Sequence, residues 1–251
     1  LKGLGNVVRI AVEEVEGDIF NDQYLETLQE INDTVFFIPG VDRAGLKSLW
    51  TPLTRWLEVT EEGFDGGPVI PDNYNGSAES IEQLRRNIYR SGEIGKLVAN
   101  DFKSSIVYAP LLEQDPETGN PIDYHKFSSQ LETQIREKYQ SEKIKIHITG
   151  FAKLVGDLID AANLIAMFFG ITIMITMVLL YLYSRCVRST IIPISCSLIA
   201  VVWQLGLMKT LGYGLDPYSM LVPFLIFAVG TSHGVQIVNN MEHETMQGYD
   251  K

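Results

Sequence analysis

The sequence predicts an α+β, ferredoxin-like domain over residues 1–151, followed by an all-α bundle of three membrane-spanning helices. Three observations carry this reading. Charge is unevenly placed: residues 1–151 hold 15 Lys/Arg and 25 Asp/Glu, a net −10, against 5 and 6 in residues 152–251. Within that apolar remainder, three segments reach the roughly 20 apolar residues that a bilayer crossing requires. The acidic part reads strand, helix, strand twice over, the split βαβ arrangement. Such a sheet buries one face under two helices.

The elements of the acidic part follow from spacing. Asn6–Glu16 alternates, with Val8, Ile10 and Val12 on one face of a strand. Asn21 or Asp22 caps a helix in which Tyr24, Leu25, Leu28 and Ile31 recur at helical intervals. Pro39-Gly40 ends that helix, and a second strand is expected through Gly45–Trp50. Residues 51–78 are rich in Gly, Pro, Asp and Asn, which favours a long excursion over core structure. Ser77 or Ser80 caps a helix through Ile81, Leu84 and Ile88, interrupted at Gly92 and Gly95. Lys103–Leu112 is the next strand, and Asp123–Gln140 is a helix with Phe127, Leu131, Ile135 and Tyr139 on one stripe. Lys143–Thr149 closes the domain as a strand with Ile144, Ile146 and Ile148 inward.

From Phe151 the chain is expected to run as one helix into the membrane, with Leu154, Leu158, Ile159 and Ala162 on one face and Asp157 and Asp160 wet. An unbroken joint of this kind would pass motion between domain and bundle without a slack linker. The membrane region covers 152–244, with spans at about 161–183, 190–208 and 218–238, and 245–251 forms a tail. Pro193 falls near the start of the second span, where proline is tolerated. The turn between the first two spans holds Arg185 and Arg188 and no acid, which places it in the cytoplasm. Residues 1–151 then lie on the outer side, and the tail is cytoplasmic. Lys209 on the outer side is the one objection. The first residues acquire acid too early for a signal peptide, and the chain reads as a piece of a longer protein.

The chemistry concentrates in the third span. Halfway along it stand Thr231, Ser232, His233 and Gln236, with Asn239 and Asn240 following. An ionisable group at bilayer depth is costly and marks a functional site by default. Two readings compete. Gly230 and Gly234 form a GxxxG pair, and small and hydroxyl residues beside it suit close helix contact. Alternatively His233 takes up and releases a proton, which an imidazole does within the physiological range. Ser232, Gln236 and Asn239 recur at i, i+4 and i+7, and His233, Gln236 and Asn240 at i, i+3 and i+7, so a polar stripe would face inward.

Other chemistries find little support. His243-Glu244 begins a zinc-protease pattern, but position 247 is Gln, so the second ligand is missing. Ser232 and His233 point about 100° apart on a helix and do not make a hydrolytic pair. Cys186 and Cys196 form neither a disulfide framework nor a metal site and read as small apolar fillers. His125 and His147 stand isolated, and Asn32-Asp33-Thr34 and Asn75-Gly76-Ser77 match glycosylation sequons of a kind frequent by chance. Gly212 and Gly214 belong to a loop rather than a nucleotide fingerprint. No phosphate loop is present, and no cofactor motif is found. The acidic balance argues against a nucleic-acid partner.

The run from Leu179 to Glu244 resembles the core of the resistance-nodulation-division (RND) exporters. It has an Arg-containing turn, an apolar helix opened by proline, a glycine-containing loop, and a helix of small residues ending in Val238-Asn239-Asn240-Met241-Glu242. Ile38–Val41 and Ile148–Gly150 are similar to the periplasmic porter region of that superfamily. A single compact outer domain points to its MMPL branch. The resemblance implies one repeat of a twelve-span transporter lacking its first helix, a second repeat or further copies as partners, and a bacterial inner-membrane location with residues 1–151 periplasmic. It implies a secondary active transporter rather than an enzyme, exporting a hydrophobic or amphipathic substrate, a lipid among them, and driven by protons. The family's acidic coupling positions align with Ser232 and His233, and no Asp or Glu lies between Asp216 and Glu242. The expected proton relay is therefore His233 with Ser232, Gln236, Asn239 and Asn240. Two alternatives remain: a non-transporting accessory or scaffold subunit, and a membrane sensor with an outer ligand-binding domain.

Overall fold

The structure is a computed structural model that describes residues 6–61, 63–116, 119–214, 216 and 219–246, with the backbone alone at 245 and 246. Its first sheet has three antiparallel strands in the order β4-β1-β5, with β1 spanning Val7–Glu14, β4 Ser104–Pro110 and β5 Ile144–Gly150. Alternation puts Val8, Ile10, Val12, Val107, Ile144, Ile146 and Ile148 on the buried face. Two helices form as their sequences specify. Helix α1, Asp22–Phe37, is capped by Asn21, whose side chain accepts from Tyr24 N at 2.8 Å. Helix α2, Ala78–Ser91, starts at the Ser77 cap and stops at Gly92, which takes the left-handed conformation (φ 67°) that glycine adopts without penalty. The apolar stripes of α1 and α2 and the sheet share one core with Phe127, Leu131 and Ile135.

Three local expectations change. Gly45–Trp50 is not a strand. Antiparallel bridges at Val41–Leu111 and Lys47–Tyr108 hold that segment beside β4, but no continuous ladder forms. Side chains capture its backbone instead: Thr51 and Thr54 hydroxyls both bond Ser48 O, and Ser48 N donates to Thr51 Oγ1. Hydroxyl-to-backbone bonds compete with a ladder in this way. Residues 51–78 contain a two-stranded hairpin, β2 Arg55–Thr60 and β3 Gly63–Pro68, largely exposed as an excursion outside the core. The helix expected over Asp123–Gln140 runs without a gap from Tyr124 to Tyr139, but widens in its middle: α3, Tyr124–Leu131, passes through a π-helical turn at Glu132–Arg136 into α4, Glu137–Tyr139.

Helix α5 runs unbroken over Phe151–Ser184. Its first turns bury a different face from the one expected. Leu154 is 57% and Ile159 40% exposed, while Ala152, Lys153 and Gly156 are buried. The reason is steric: Gly156 lies against Ser128 with no room for a Cβ, so the small side of the helix faces α3. Lys153, only 5% exposed, pairs with Glu132 at 2.7 Å and with Asp157.

The chain divides into two compact units, Leu1–Ile159 and Asp160–Lys251. Among the described residues, three helices are long and apolar enough to cross a membrane: α5, α6 (Val187–Thr210) and α7 (Val222–Met246), the last entered by a 3-10 turn at Ser219–Leu221. The expected third span begins at Tyr218, which lies outside the described residues, as do 247–251 of the tail. Helix α7 continues through residue 246. Pro193 sits inside α6 rather than at its start, because the helix begins at Val187.

Candidate functional site

In the second unit α6 and α7 pack closely because their facing surfaces are small. A Cβ at Gly230 would fall 2.8 Å from Ser197 Oγ, and one at Gly234 would fall 2.7 Å from Pro193 Cβ. Between them Thr231, buried, donates to Ser197 Oγ at 3.1 Å, and Ser197 donates to Pro193 O at 2.8 Å. Backbones that approach through small residues and hydroxyls that bond across are what helix association in lipid requires. Ile194, Val201 and Phe227 extend the seam, and Phe169 of α5 stacks edge-on against Phe224 and Phe227.

His233 is not part of that seam. It is exposed in this chain, and with Arg188, Pro193, Cys196, Ile237 and Glu242 it lines a groove of about 900 Å³ along α6 and α7. At the groove's Arg188–Glu242 end, Ser189 donates to Glu242 Oε1 at 2.8 Å. The walls are mostly apolar, so the titratable groups facing the imidazole there are few.

The other members of the expected relay are placed elsewhere. Ser232, Gln236 and Asn240 are exposed on α7 and do not line the groove. Asn239 is half-buried and donates to Tyr183 Oη of α5 at 3.4 Å. Among the described residues no hydrogen bond joins His233 to any of the four. The structure therefore separates the polar cluster into a packing part, Gly230-Thr231-Gly234, and an exposed part carrying His233. Sequence reasoning offered a hydroxyl bond across a helix contact as one of two readings of Thr231 and its neighbours, and the structure gives that bond to Thr231, with a partner the sequence did not name. The same reasoning read Arg188 as a topology signal and as part of the Arg-containing turn, and Glu242 only within the terminal motif. The pairing of Ser197 with Thr231 had no local signal, since the two are 34 residues apart.

The remaining candidates resolve simply. Both cysteines are exposed free thiols, so neither fills an apolar gap; Cys186 stands at the N-cap position of α6 without a side-chain cap bond, and Cys196 lines the groove. No group of three or more His, Cys, Asp or Glu able to hold a metal exists among the described residues. His147 pairs with Glu13 at 2.8 Å on the exposed face of the sheet. Asn32 of the first sequon is buried and accepts from Ser48 Oγ at 2.7 Å.

None of the curated proteins matches the chain. The MMPL family matches residues 112–251, more than half of its 251 residues, taking in β5 and all three long helices. With three bilayer-length helices and that match, the chain belongs to the MMPL family and is a membrane transporter of the RND kind.

Proposed function

We propose that the chain is one repeat of a proton-driven exporter of a hydrophobic or amphipathic substrate, lipids included, with His233 as its titrating group. One observation carries this: the imidazole stands near the middle of α7, in the wall of a groove, while Gly230, Thr231 and Gly234 already complete the helix contact. Packing does not use the ring. An ionisable group kept at bilayer depth with no packing task marks a pathway for charge. Protonation there would add a positive charge facing Arg188 and Glu242 in the same groove. Gln236 and Asn240, one and two turns on, with Ser232 and Asn239, would extend the relay toward the rest of the transporter, either a second repeat or further copies.

Residues 1–151 would be the periplasmic porter domain. The order β4-β1-β5, with the 41–47 segment bridged to the outer edge of β4, supports a ferredoxin-like reading in which the fourth strand is reduced to two bridges. Arg185 in the turn after α5 and Arg188 in the first turn of α6 support the orientation, in the inner membrane of a bacterium.

The test is export by the full transporter in proteoliposomes with an imposed proton gradient. His233→Ala is expected to assemble normally and lose gradient-driven export, while His233→Asp keeps coupling with its pH optimum displaced to the acid side. Unimpaired export by the alanine variant overturns the reading. The scaffold alternative draws on the Gly230–Gly234 seam, and failure of the unsubstituted protein to export any hydrophobe would favour it.

A further inference from the structure

In the first unit, Asp22, Glu26, Gln29, Asp33 and Phe36 recur at helical spacing along one side of α1. Two concavities open beside this stripe. The first, about 550 Å³, has Asp22, Glu26, Asp72, Trp50 and Tyr74 in its walls. The second, about 630 Å³, has Phe36, Phe37 and Leu53, with Arg43 and Asp33 at its polar side. Trp50 and Pro52 line both, so the two adjoin.

The first concavity is built to receive positive charge. No Lys or Arg lines it, and among the described residues Asp22, Glu26 and Asp72 take part in no ion pair. Its rings are held: Trp50 Nε1 donates to Leu25 O at 2.9 Å, Tyr74 Oη donates to Asp22 Oδ1 at 2.9 Å, and the two rings meet edge to face at 5.6 Å. A compact metal ion is not the complement, because these carboxylates do not converge into a group that could ligate one. A diffuse organic cation is, since aromatic faces attract ammonium groups and the carboxylates add long-range attraction. The second concavity complements hydrocarbon. Phe37 is 69% and Leu53 57% exposed, and the Arg43 guanidinium is already engaged over the Phe36 ring at 5.3 Å and with Phe36 O at 3.1 Å.

We infer that these adjoining concavities bind an amphiphilic organic cation, its ammonium head over Trp50 and Tyr74 among Asp22, Glu26 and Asp72, and its tail against Phe36, Phe37 and Leu53. The site depends on the exporter reading only in that its ligand would be cargo. Binding itself requires no gradient.

Hexyltrimethylammonium, titrated calorimetrically into the full chain in lipid nanodiscs against empty nanodiscs, gives saturable binding at one site per chain. The paired substitution Glu26→Gln and Asp72→Asn weakens it by about fivefold, which is about 1 kcal/mol for the two exposed charges together. Phe37→Ser weakens hexyltrimethylammonium but leaves tetramethylammonium unchanged, because only the tail loses its wall. All three positions are exposed, so folding is retained. Three results overturn the assignment: no heat beyond the empty discs, hexyl sulfate binding as tightly as the cation, or affinity unchanged in the paired variant. Loss or retention of gradient-driven export in His233→Ala bears on the exporter reading alone.

Discussion

Tyr24 shows how one side chain joins a helix to a sheet. Fully buried on α1, it donates to Val12 O of β1 at 2.8 Å and accepts from Ser105 N of β4 at 2.9 Å, with Ser105 Oγ at 2.7 Å. Burial pushes its phenol well above the ordinary range, and the Ser105 bonds offset this in part. The sign of the pH effect follows. A raised folded value means that the native state holds the proton after the unfolded chain has released it. The contribution is therefore complete below the ordinary phenol value of 10.0 and is lost as pH rises beyond it. Tyr24→Phe is expected to cost about 1–3 kcal/mol at neutral pH, because buried Val12 O and Ser105 N lose a partner. The same variant should flatten the alkaline decline. Denaturant unfolding at pH 7 and above pH 10 measures both. Lys153 is a second residue of this kind: Lys153→Met removes the buried cation that Glu132 meets at 2.7 Å, leaves Glu132 with Arg136 alone at 3.0 Å, and is expected to lower the melting temperature of the first unit.

At the scale of elements, the α6–α7 pair rests on the absence of side chains. Gly234→Leu would drive a Cβ into Pro193 and is expected to destabilise the pair by about 1–3 kcal/mol, the usual range for overpacking. Cysteine crosslinking between α6 and α7 would report the separation. Thr231→Val should cost less, because it removes one interhelix bond and keeps the volume. The hairpin β2–β3 behaves differently. Leu57, Val59 and Phe64 share its outer face and are 63%, 75% and 78% exposed, so its pairing comes from the backbone ladder and from Trp56, over which Arg90 stacks at 5.4 Å. Turn-rich composition concealed this hairpin because one of its strands, GFDGGP, holds three glycines and a proline.

At the scale of the whole chain, the opening turns of α5, as far as Ile159, belong to the first compact unit, with Ala152, Lys153 and Gly156 buried. A chain of residues 1–159 is expected to unfold cooperatively on its own. One ending at 151 loses Ala152, Lys153 and Gly156, uncovers Ser128 and Glu132, and is expected to melt at lower temperature. Circular dichroism melting of the two truncations decides the point.

The sequence by itself determined the apolar helices and the inward faces of the strands, and narrowed each cap to two candidates, of which the structure takes Asn21 over Asp22 and Ser77 over Ser80, because each rests on spacing within a single element. It also held enough pattern to identify the superfamily. Tertiary structure alone decided that Gly45–Trp50 gives up its ladder, that Gly156 rather than Leu154 faces the core, and that Thr231 packs while His233 faces a groove. Those outcomes depend on which distant side chain arrives opposite: Ser128 for Gly156, Ser197 for Thr231, Tyr108 for Lys47. Periodicity along one segment carries no information about its partner, and a polar residue's task in a helix is fixed by what lies across from it.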